Sequence, residues 1–280
     1  IIKNISTGED VKSTKECLIS CGVKIKTKDN AVHVEGGPLK DPLKTLNCGN
    51  SGTTARLLIG MLAGQGVNAE FIGDKSLSKR PMDRIINPLI KMGLSIESNN
   101  GHLPLSISKN KLNGATIKLK IASAQVKSCI LLAGLGAKSK TTVHESIKTR
   151  DHTEILLSNL GVDIKVDKDI TIAKMNKPLQ KFNITIPGDP SSAAFFAALA
   201  AMLPNSELRI KNVLANPTRT GFFKILKKMG AGIVWENRRE VYGEAIGDLY
   251  VYSQPLSGID ITPEIVPSLI DELPILSILA

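Results

Sequence analysis

The chain has 280 residues, of which 42% are hydrophobic and 4% aromatic, and 36 basic against 26 acidic residues give it a formal net charge of +10. This composition is typical of a globular protein with a sizeable core and excludes a low-complexity or disordered chain. The positive charge favours anionic partners, but ten aromatic residues and no long Lys/Arg run argue against nucleic acid. No apolar run reaches the roughly 18 residues of a membrane span, so we predict no membrane association.

The cysteines and histidines do not indicate a metal centre or disulfides. Cys17, Cys21, Cys48 and Cys129 form neither a CxxC pair nor a Cys/His array, and the four histidines show no ligand spacing. Reduced structural thiols and no bound metal are therefore expected. Residues 1–5 are typical of a strand and not of a hydrophobic leader, so we predict a cytoplasmic protein.

A pattern of eight residues occurs four times: leucine, two residues, an apolar residue, glycine, an apolar residue, any residue and isoleucine. The glycines of the four copies are Gly22, Gly93, Gly161 and Gly230, with spacings of 71, 68 and 69 residues. This regularity indicates that one supersecondary unit is repeated along the chain.

Each copy predicts the same order of elements. A helix ends at the glycine, which suits a left-handed C-terminal position, and the alternation that follows predicts a strand. About thirty residues later comes a second, almost wholly apolar helix that opens with small hydroxyl residues, at 50–53, 123–125 and 190–192, and in the fourth copy at Ser268. Runs rich in β-formers at 69–73, 141–145 and 208–213 complete a repeating α/β plan.

The second helices should form a buried spine. Residues 193–201 are apolar on nearly every side, and such a helix belongs in a protein interior. The length favours about two domains, with a break near residues 187–190.

Three arginines recur with the period of the repeat. Arg80, Arg150 and Arg219 are 70 and 69 residues apart, each in the turn between a strand and a helix. Turns of this kind lie on one rim of a sheet, where α/β proteins commonly bind substrates. A structural salt bridge could explain any one of them, but the recurrence favours anion binding by at least two. Because helix N-termini also attract anions, we predict a ligand with more than one negative group.

Familiar nucleotide and hydrolase motifs are missing from the sequence. There is no Walker motif and no G-x-S-x-G elbow, and the GxGxxA-like residues 64–69 follow a helix instead of a strand. We therefore predict chemistry by charged and hydroxyl side chains, with no cofactor.

Five segments together resemble the 3-phosphoshikimate 1-carboxyvinyltransferase (EPSP synthase) family, in its bacterial form with Ser-Ala-Gln and Arg-Asp-His-Thr-Glu motifs. They are residues 46–56, 73–82, 123–128, 150–154 and 270–276, in unbroken order. The resemblance implies an α/β fold, a two-lobed inside-out α/β barrel of repeated βαβαββ units. It implies a nearly complete first lobe at 1–187 and a partial second lobe at 188–280.

The resemblance also implies a reaction and its site. The enolpyruvyl group of phosphoenolpyruvate would pass to the 5-hydroxyl of shikimate 3-phosphate, giving 5-enolpyruvylshikimate 3-phosphate and phosphate in the shikimate pathway. No metal or cofactor is implied, and we expect a monomer. The residues implied for phosphoenolpyruvate are Asn50, Gly52, Arg80 and Gln125, and those for shikimate 3-phosphate are Ser123, Ala124, Gln125, Arg150 and Asp271. Asp271 would be the catalytic base, and Arg56 would give structural support.

Two other functions stay open at this point. UDP-N-acetylglucosamine 1-carboxyvinyltransferase shares the fold and the donor, but it carries a reactive cysteine where this chain has Lys75. A non-catalytic module that binds phosphorylated metabolites is the second alternative. The resembled family also uses a lysine before residue 1 and a glutamate, arginines and lysines beyond residue 280. We therefore expect the sequence to be an internal fragment that is inactive by itself.

Overall fold

A computed structural model describes residues 1–279. The chain forms two compact units, of which the first comprises Ile1–Ser146 and Leu160–Thr185. The second comprises Ile147–Asn159 and the chain from Ile186 onward. The sequence does not indicate that Ile147–Asn159 groups with the later residues, and the assignment of lobes to 1–187 and 188–280 stays a prediction.

The first unit contains four helices and three sheets of four strands each among the described residues. The helices are α1 (Glu9–Ser20), α2 (Gly52–Gln65), α3 (Asp83–Lys91) and α4 (Ala124–Gly134). The strands are β1 (Ile2–Lys3), β2 (Lys24–Lys28), β3 (Ala31–Glu35), β4 (Leu46–Asn47), β5 (Ala69–Ile72), β6 (Ser95–Asn99), β7 (His102–Ser108), β8 (Thr116–Lys118), β9 (Thr141–His144), β10 (Ile164–Val166), β11 (Ile170–Ile172) and β12 (Ile184–Thr185). The sheet orders are β12-β1-β3-β2, β4-β5-β7-β6 and β10-β11-β9-β8.

The second unit contains one three-stranded antiparallel sheet, in the order β13-β15-β14, and four helices within the described residues. Its strands are β13 (Glu207–Leu214), β14 (Gly232–Val241) and β15 (Glu244–Tyr252). Its helices are α5 (His152–Asn159), α6 (Pro190–Met202), α7 (Gly221–Lys228) and α8 (Leu273–Leu279). Single 3-10 turns lie at Leu77–Lys79 in the first unit and at Val266–Ser268 and Ile270–Glu272 in the second.

The element order confirms the repeating plan. The runs β4-α2-β5-α3-β6-β7, β8-α4-β9-α5-β10-β11 and β12-α6-β13-α7-β14-β15 are three βαβαββ units in succession. The glycine that ends the first helix of each copy has the predicted left-handed backbone, with φ between 83° and 116° at Gly22, Gly93, Gly161 and Gly230. Glycine adopts this conformation without the steric penalty of a Cβ atom, which explains why it recurs.

Serine caps begin two of the second helices, as predicted. The Ser51 hydroxyl accepts the N–H of Thr54 at 3.1 Å, and the Ser123 hydroxyl accepts the N–H of Val126 at 3.4 Å. Each bond satisfies one of the free donors at a helix start.

The predicted start of the third of these helices at 190–192 is confirmed, although its cap is not a serine, and the predicted fourth start at Ser268 is wrong. Asp189 caps α6 through the N–H of Ser192 at 2.9 Å, because Pro190 takes the first helical position and shifts the serines into the helix. Ser268 lies in a 3-10 turn and donates to the carbonyl of Ile265 at 2.7 Å. The helix α8 begins only at Leu273.

Helices α2 and α4 form the buried spine of the first unit, which confirms the prediction for these two. Their backbones approach closely at glycines, since a Cβ atom at Gly60 would lie 2.2 Å from the carbonyl oxygen of Cys129. A Cβ atom at Gly136 would lie 1.6 Å from the carbonyl oxygen of Gly64.

Helix α6 departs from the predicted burial. Ala194, Ala197 and Ala201 are buried in the core of the second unit, but Phe195, Phe196 and Leu199 are 65%, 61% and 54% exposed. The alanine face packs against residues of its unit's sheet and of α7, while Phe195, Phe196 and Leu199 lie outside this core. The prediction that this helix is buried on all sides is therefore wrong.

We expect Gly60→Ala to lower the free energy of unfolding by about 1–3 kcal/mol, because the added methyl group must push α2 and α4 apart. Urea denaturation of the chain measures the loss. Gly36→Ala is the matched control, because a Cβ atom there meets nothing within 4 Å. Equal stability of the two variants would contradict the close packing of the helices.

Among residues 1–279, none of the helices combines the length and the hydropathy that a membrane crossing requires.

Candidate active site

The first anion-binding candidate, Arg80, lies beside Asn50. Strands β4 and β5 are parallel neighbours, so the loops that follow them leave the sheet at the same edge. The first loop carries Asn50 and the second carries Arg80, whose Nη2 donates to Asn50 Oδ1 at 3.0 Å. Asn50 Nδ2 in turn donates to Asp74 Oδ2 at 2.7 Å. Hydrogen bonds from the Leu77 N–H and from Asn50 lower the pKa of Asp74, so this carboxylate anchors the asparagine in its charged form.

Gly52 lies under two guanidinium groups. A Cβ atom at Gly52 would lie 3.0 Å from Arg56 Nη1 and 3.3 Å from Arg80 Nη1. Burial lowers the pKa of Arg56, and the nearby charges of Arg80 and Arg84 lower it further. Guanidinium groups remain charged in proteins, so like charges are held together at the start of a helix, where the N–H groups are also positive. This arrangement attracts an anion with two acceptor groups.

Gln125 joins the same group from helix α4. Its Oε1 accepts from Arg56 Nη1 at 2.6 Å, and its Nε2 donates to Thr53 Oγ1 at 2.8 Å. Ser123 and Ala124 lie half-buried at the start of this helix. The first unit therefore brings together Asn50, Gly52, Arg80 and Gln125, with Arg56 between the last two.

Two further candidates meet in the second unit. Arg150 precedes α5, and its Nη2 donates to Oδ2 of Asp271. Asp271 lies in the 3-10 turn before α8, with its side chain 51% exposed. The pair places a half-exposed carboxylate beside a fixed cation, an arrangement that can accept a proton from a bound hydroxyl group.

The loop that carries Arg150 is held by its neighbours in the second unit. Asn216 Nδ2 donates to Asp151 Oδ1 and to Glu244 Oε2, both at 2.8 Å, and His152 Nδ1 is hydrogen-bonded to Glu244 Oε1 at 2.6 Å. Burial raises the pKa of Asp151, but the hydrogen bonds from Asn216 and Lys148 outweigh it, and the net shift is downward. The network fixes the orientation of the residues on both sides of Arg150.

Arg219, the third recurrent arginine, forms an internal ion pair. Its Nη2 donates to Asp189 Oδ1 and to Ser191 Oγ, both at 2.8 Å, and its side chain is only 14% exposed. The structural salt bridge considered for a single arginine therefore applies to Arg219. Arg150 is also paired with a carboxylate, that of Asp271, whereas Arg80 is hydrogen-bonded to the amide of Asn50.

The sequence analysis did not single out the buried pair of Lys127 and Glu145. Lys127 is fully buried in α4, two residues after Gln125, and its Nζ lies 3.0 Å from Glu145 Oε1. A lysine in an otherwise apolar helix was the available signal, because lysine is almost never fully buried without a partner.

The described residues, 1–279, contain no group of three or more His, Cys, Asp or Glu side chains that could hold a metal ion. Cys17, Cys21, Cys48 and Cys129 are all buried and free.

These features define an α/β protein of repeated βαβαββ units that gathers arginine and amide side chains at the starts of two buried helices. The family model of EPSP synthase (3-phosphoshikimate 1-carboxyvinyltransferase) matches residues 1–280. The chain belongs to this family, as its motifs predicted.

Relatives and solved structures agree with the family. The chain is 47% identical to the 3-phosphoshikimate 1-carboxyvinyltransferase of Ruthia magnifica and 44% identical to that of Thermoanaerobacter sp. (strain X514), with all of this chain covered. It spans 65% and 67% of the lengths of these two relatives. The EPSP synthase structure from Acinetobacter baumannii matches with a TM-score of 0.88 and 43% identity, over 98% of this chain and 64% of that one. The predicted fold class, an inside-out α/β barrel of repeated βαβαββ units, is confirmed.

Proposed function

We propose that the protein transfers the enolpyruvyl group of phosphoenolpyruvate to the 5-hydroxyl of shikimate 3-phosphate and releases phosphate, in the shikimate pathway to chorismate and the aromatic amino acids. The observation that carries the proposal is the pair of guanidinium groups over Gly52, with Asn50 and Gln125 beside them. The two bacterial relatives are named for the same transfer.

The donor, phosphoenolpyruvate, needs cationic groups for its phosphate and its carboxylate. Arg80 supplies one, oriented by Asn50, and the absence of a side chain at Gly52 lets both guanidinium groups approach the start of α2. The amide of Gln125, held by Arg56 and Thr53, supplies a polar group next to them. Donors fixed in this way can stabilise charge as it develops on the departing phosphate.

The acceptor, shikimate 3-phosphate, is proposed to bind Ser123, Ala124, Gln125 and Arg150. Asp271 is the proposed base, which takes the proton of the 5-hydroxyl while the oxygen attacks C2 of phosphoenolpyruvate and C3 gains a proton. The tetrahedral intermediate then loses a proton from its C3 methyl group and expels phosphate, which leaves the enolpyruvyl ether. The hydrogen bond from Arg150 orients the Asp271 carboxylate for this role.

We also propose that the protein acts as a cytoplasmic monomer without metal or cofactor. Four free, buried cysteines support a reducing compartment. The reaction needs only proton transfer and charge stabilisation, which side chains provide.

The test is phosphate release by the protein expressed from its full reading frame, because the chain spans only about two thirds of its relatives. Release should require both phosphoenolpyruvate and shikimate 3-phosphate. UDP-N-acetylglucosamine is the control acceptor, and release that depends on it would overturn the assignment. Binding of both substrates without any release would instead support a non-catalytic module.

Arg80→Gln should lower kcat/KM for phosphoenolpyruvate by the equivalent of about 2–5 kcal/mol, because it removes one partner of a partly desolvated charge pair. Steady-state kinetics at saturating shikimate 3-phosphate measure the effect. Lys75→Gln, which removes an exposed cation from the same loop, is the control. Equal losses in the two variants would show that general charge, and not the Arg80 contact, attracts the donor.

A further inference from the structure

A cleft of about 340 Å³ lies in the first unit between helix α3 and the chain around strand β8. It contains none of the residues proposed above for either substrate, although Ile121 and Val126 flank Ser123–Gln125 in sequence. One stripe of α3 forms a wall, because Arg84, Asn87, Pro88 and Lys91 recur at helical spacing.

The floor of the cleft is hydrocarbon. Ile117, Leu119 and Val126 are 6%, 8% and 5% exposed, and Pro88 and the half-exposed Ile121 extend the apolar lining. Burial alternates along this segment, since Ile117 and Leu119 are buried while Lys118 and Lys120 are exposed. The floor therefore favours a ligand with a compact apolar body.

The rim of the cleft is cationic. One acidic residue, Asp83, lies among the lining residues together with four basic ones. The basic residues are Arg84, Lys91, Lys118 and Lys120. The Asp83 carboxylate lies against Gly101, where a Cβ atom would meet its Oδ1 at 2.4 Å. Lys91 Nζ donates to the carbonyl of Thr116 at 2.7 Å, which ties α3 to β8 and fixes one end of the rim. An anionic group on the ligand is therefore favoured.

We propose that this cleft binds a small organic carboxylate whose hydrocarbon body covers the floor and whose carboxylate meets the lysine rim. Its volume lies within the range of roughly 300–1,000 Å³ common for small-molecule sites, which are mostly apolar with a few polar groups. A bare phosphate fits less well, because it has no hydrocarbon body to cover the apolar floor. The proposal does not depend on the proposed enzymatic activity.

The test uses trans-cinnamate as the probe, a flat hydrocarbon with one carboxylate, titrated calorimetrically into the protein from its full reading frame. Cinnamamide, which has the same body without the charge, and inorganic phosphate, which has charge without the body, are the controls. Cinnamate should bind more tightly than either. No binding of cinnamate, or equal binding of cinnamate and cinnamamide, would overturn the proposal.

Variants locate the binding. Lys118→Gln/Lys120→Gln should weaken the binding of cinnamate by about tenfold in Kd, as expected for the loss of two partly screened cations. The matched control is Lys26→Gln/Lys28→Gln, two exposed lysines at the same spacing on β2, which should leave the affinity unchanged. Asn87→Trp, which fills the cleft from an exposed position, should abolish binding. Unchanged affinity in both cleft variants, or displacement of cinnamate by phosphoenolpyruvate, would show that the probe binds elsewhere.

Discussion

Lys127→Met should lower the free energy of unfolding by about 3–5 kcal/mol. The side chain of Lys127 is fully buried and that of Glu145 is only 11% exposed, with 3.0 Å between Nζ and Oε1. Removing the ammonium leaves the Glu145 carboxylate poorly solvated and without this cation. Removing one partner of a buried ion pair is more destabilising than replacing both partners. Methionine keeps most of the volume, so the loss reports charge and not a cavity. Urea denaturation followed by circular dichroism measures it.

The pair can be separated from a general effect of lysine removal. Lys140→Met changes an exposed lysine and should alter stability by less than about 0.5 kcal/mol. Lys127→Met/Glu145→Gln should lose less stability than the sum of its two single variants, since the second change removes the negative charge that Lys127 balances in part. Strict additivity would contradict a direct interaction between the two side chains.

Asp271→Asn should reduce kcat by about 10²–10⁴-fold if Asp271 is the base, because asparagine cannot accept the hydroxyl proton. The amide oxygen can still accept the hydrogen bond from Arg150, so the loop and the binding of shikimate 3-phosphate should be retained. Single-turnover kinetics together with calorimetric binding of shikimate 3-phosphate separate the two steps.

Asp260→Asn is the matched control for this variant, because Asp260 is an exposed aspartate in the same unit. It should leave both kcat and binding unchanged. If Asp271→Asn keeps full turnover, the base is another group. If it loses binding as well as turnover, the carboxylate serves to hold the acceptor or the Arg150 loop.

Local chemistry made much of the fold predictable. A glycine between the end of a helix and the start of a strand commonly adopts the left-handed backbone conformation. The four glycines therefore identified the repeat and its left-handed turns. The N-caps at Ser51 and Ser123 were predictable for the same reason, because each hydrogen bond joins residues three positions apart in the sequence. The roles of Asn50, Gly52, Arg80, Ser123, Ala124, Gln125, Arg150 and Asp271 came from resemblance and stay predictions.

Other features depended on neighbours distant in sequence. Period and composition do not show which partners a helix has, so α6 was expected to be buried although Phe195 and Phe196 are exposed. Likewise, Arg219 matches Arg80 in spacing, but only the folded chain brings Asp189 to it. The Lys127 pair and the cleft beside α3 also depend on contacts between separate elements.

The sequence by itself determined the repeat, its α/β units and the family, because these depend on backbone preferences and motifs that are encoded within a few residues. Only the tertiary structure decided which cations are neutralised by carboxylates and which are left to attract an anion. The reason is that the strength of an ion pair depends on distance and on burial, and both are set by residues far apart in the chain.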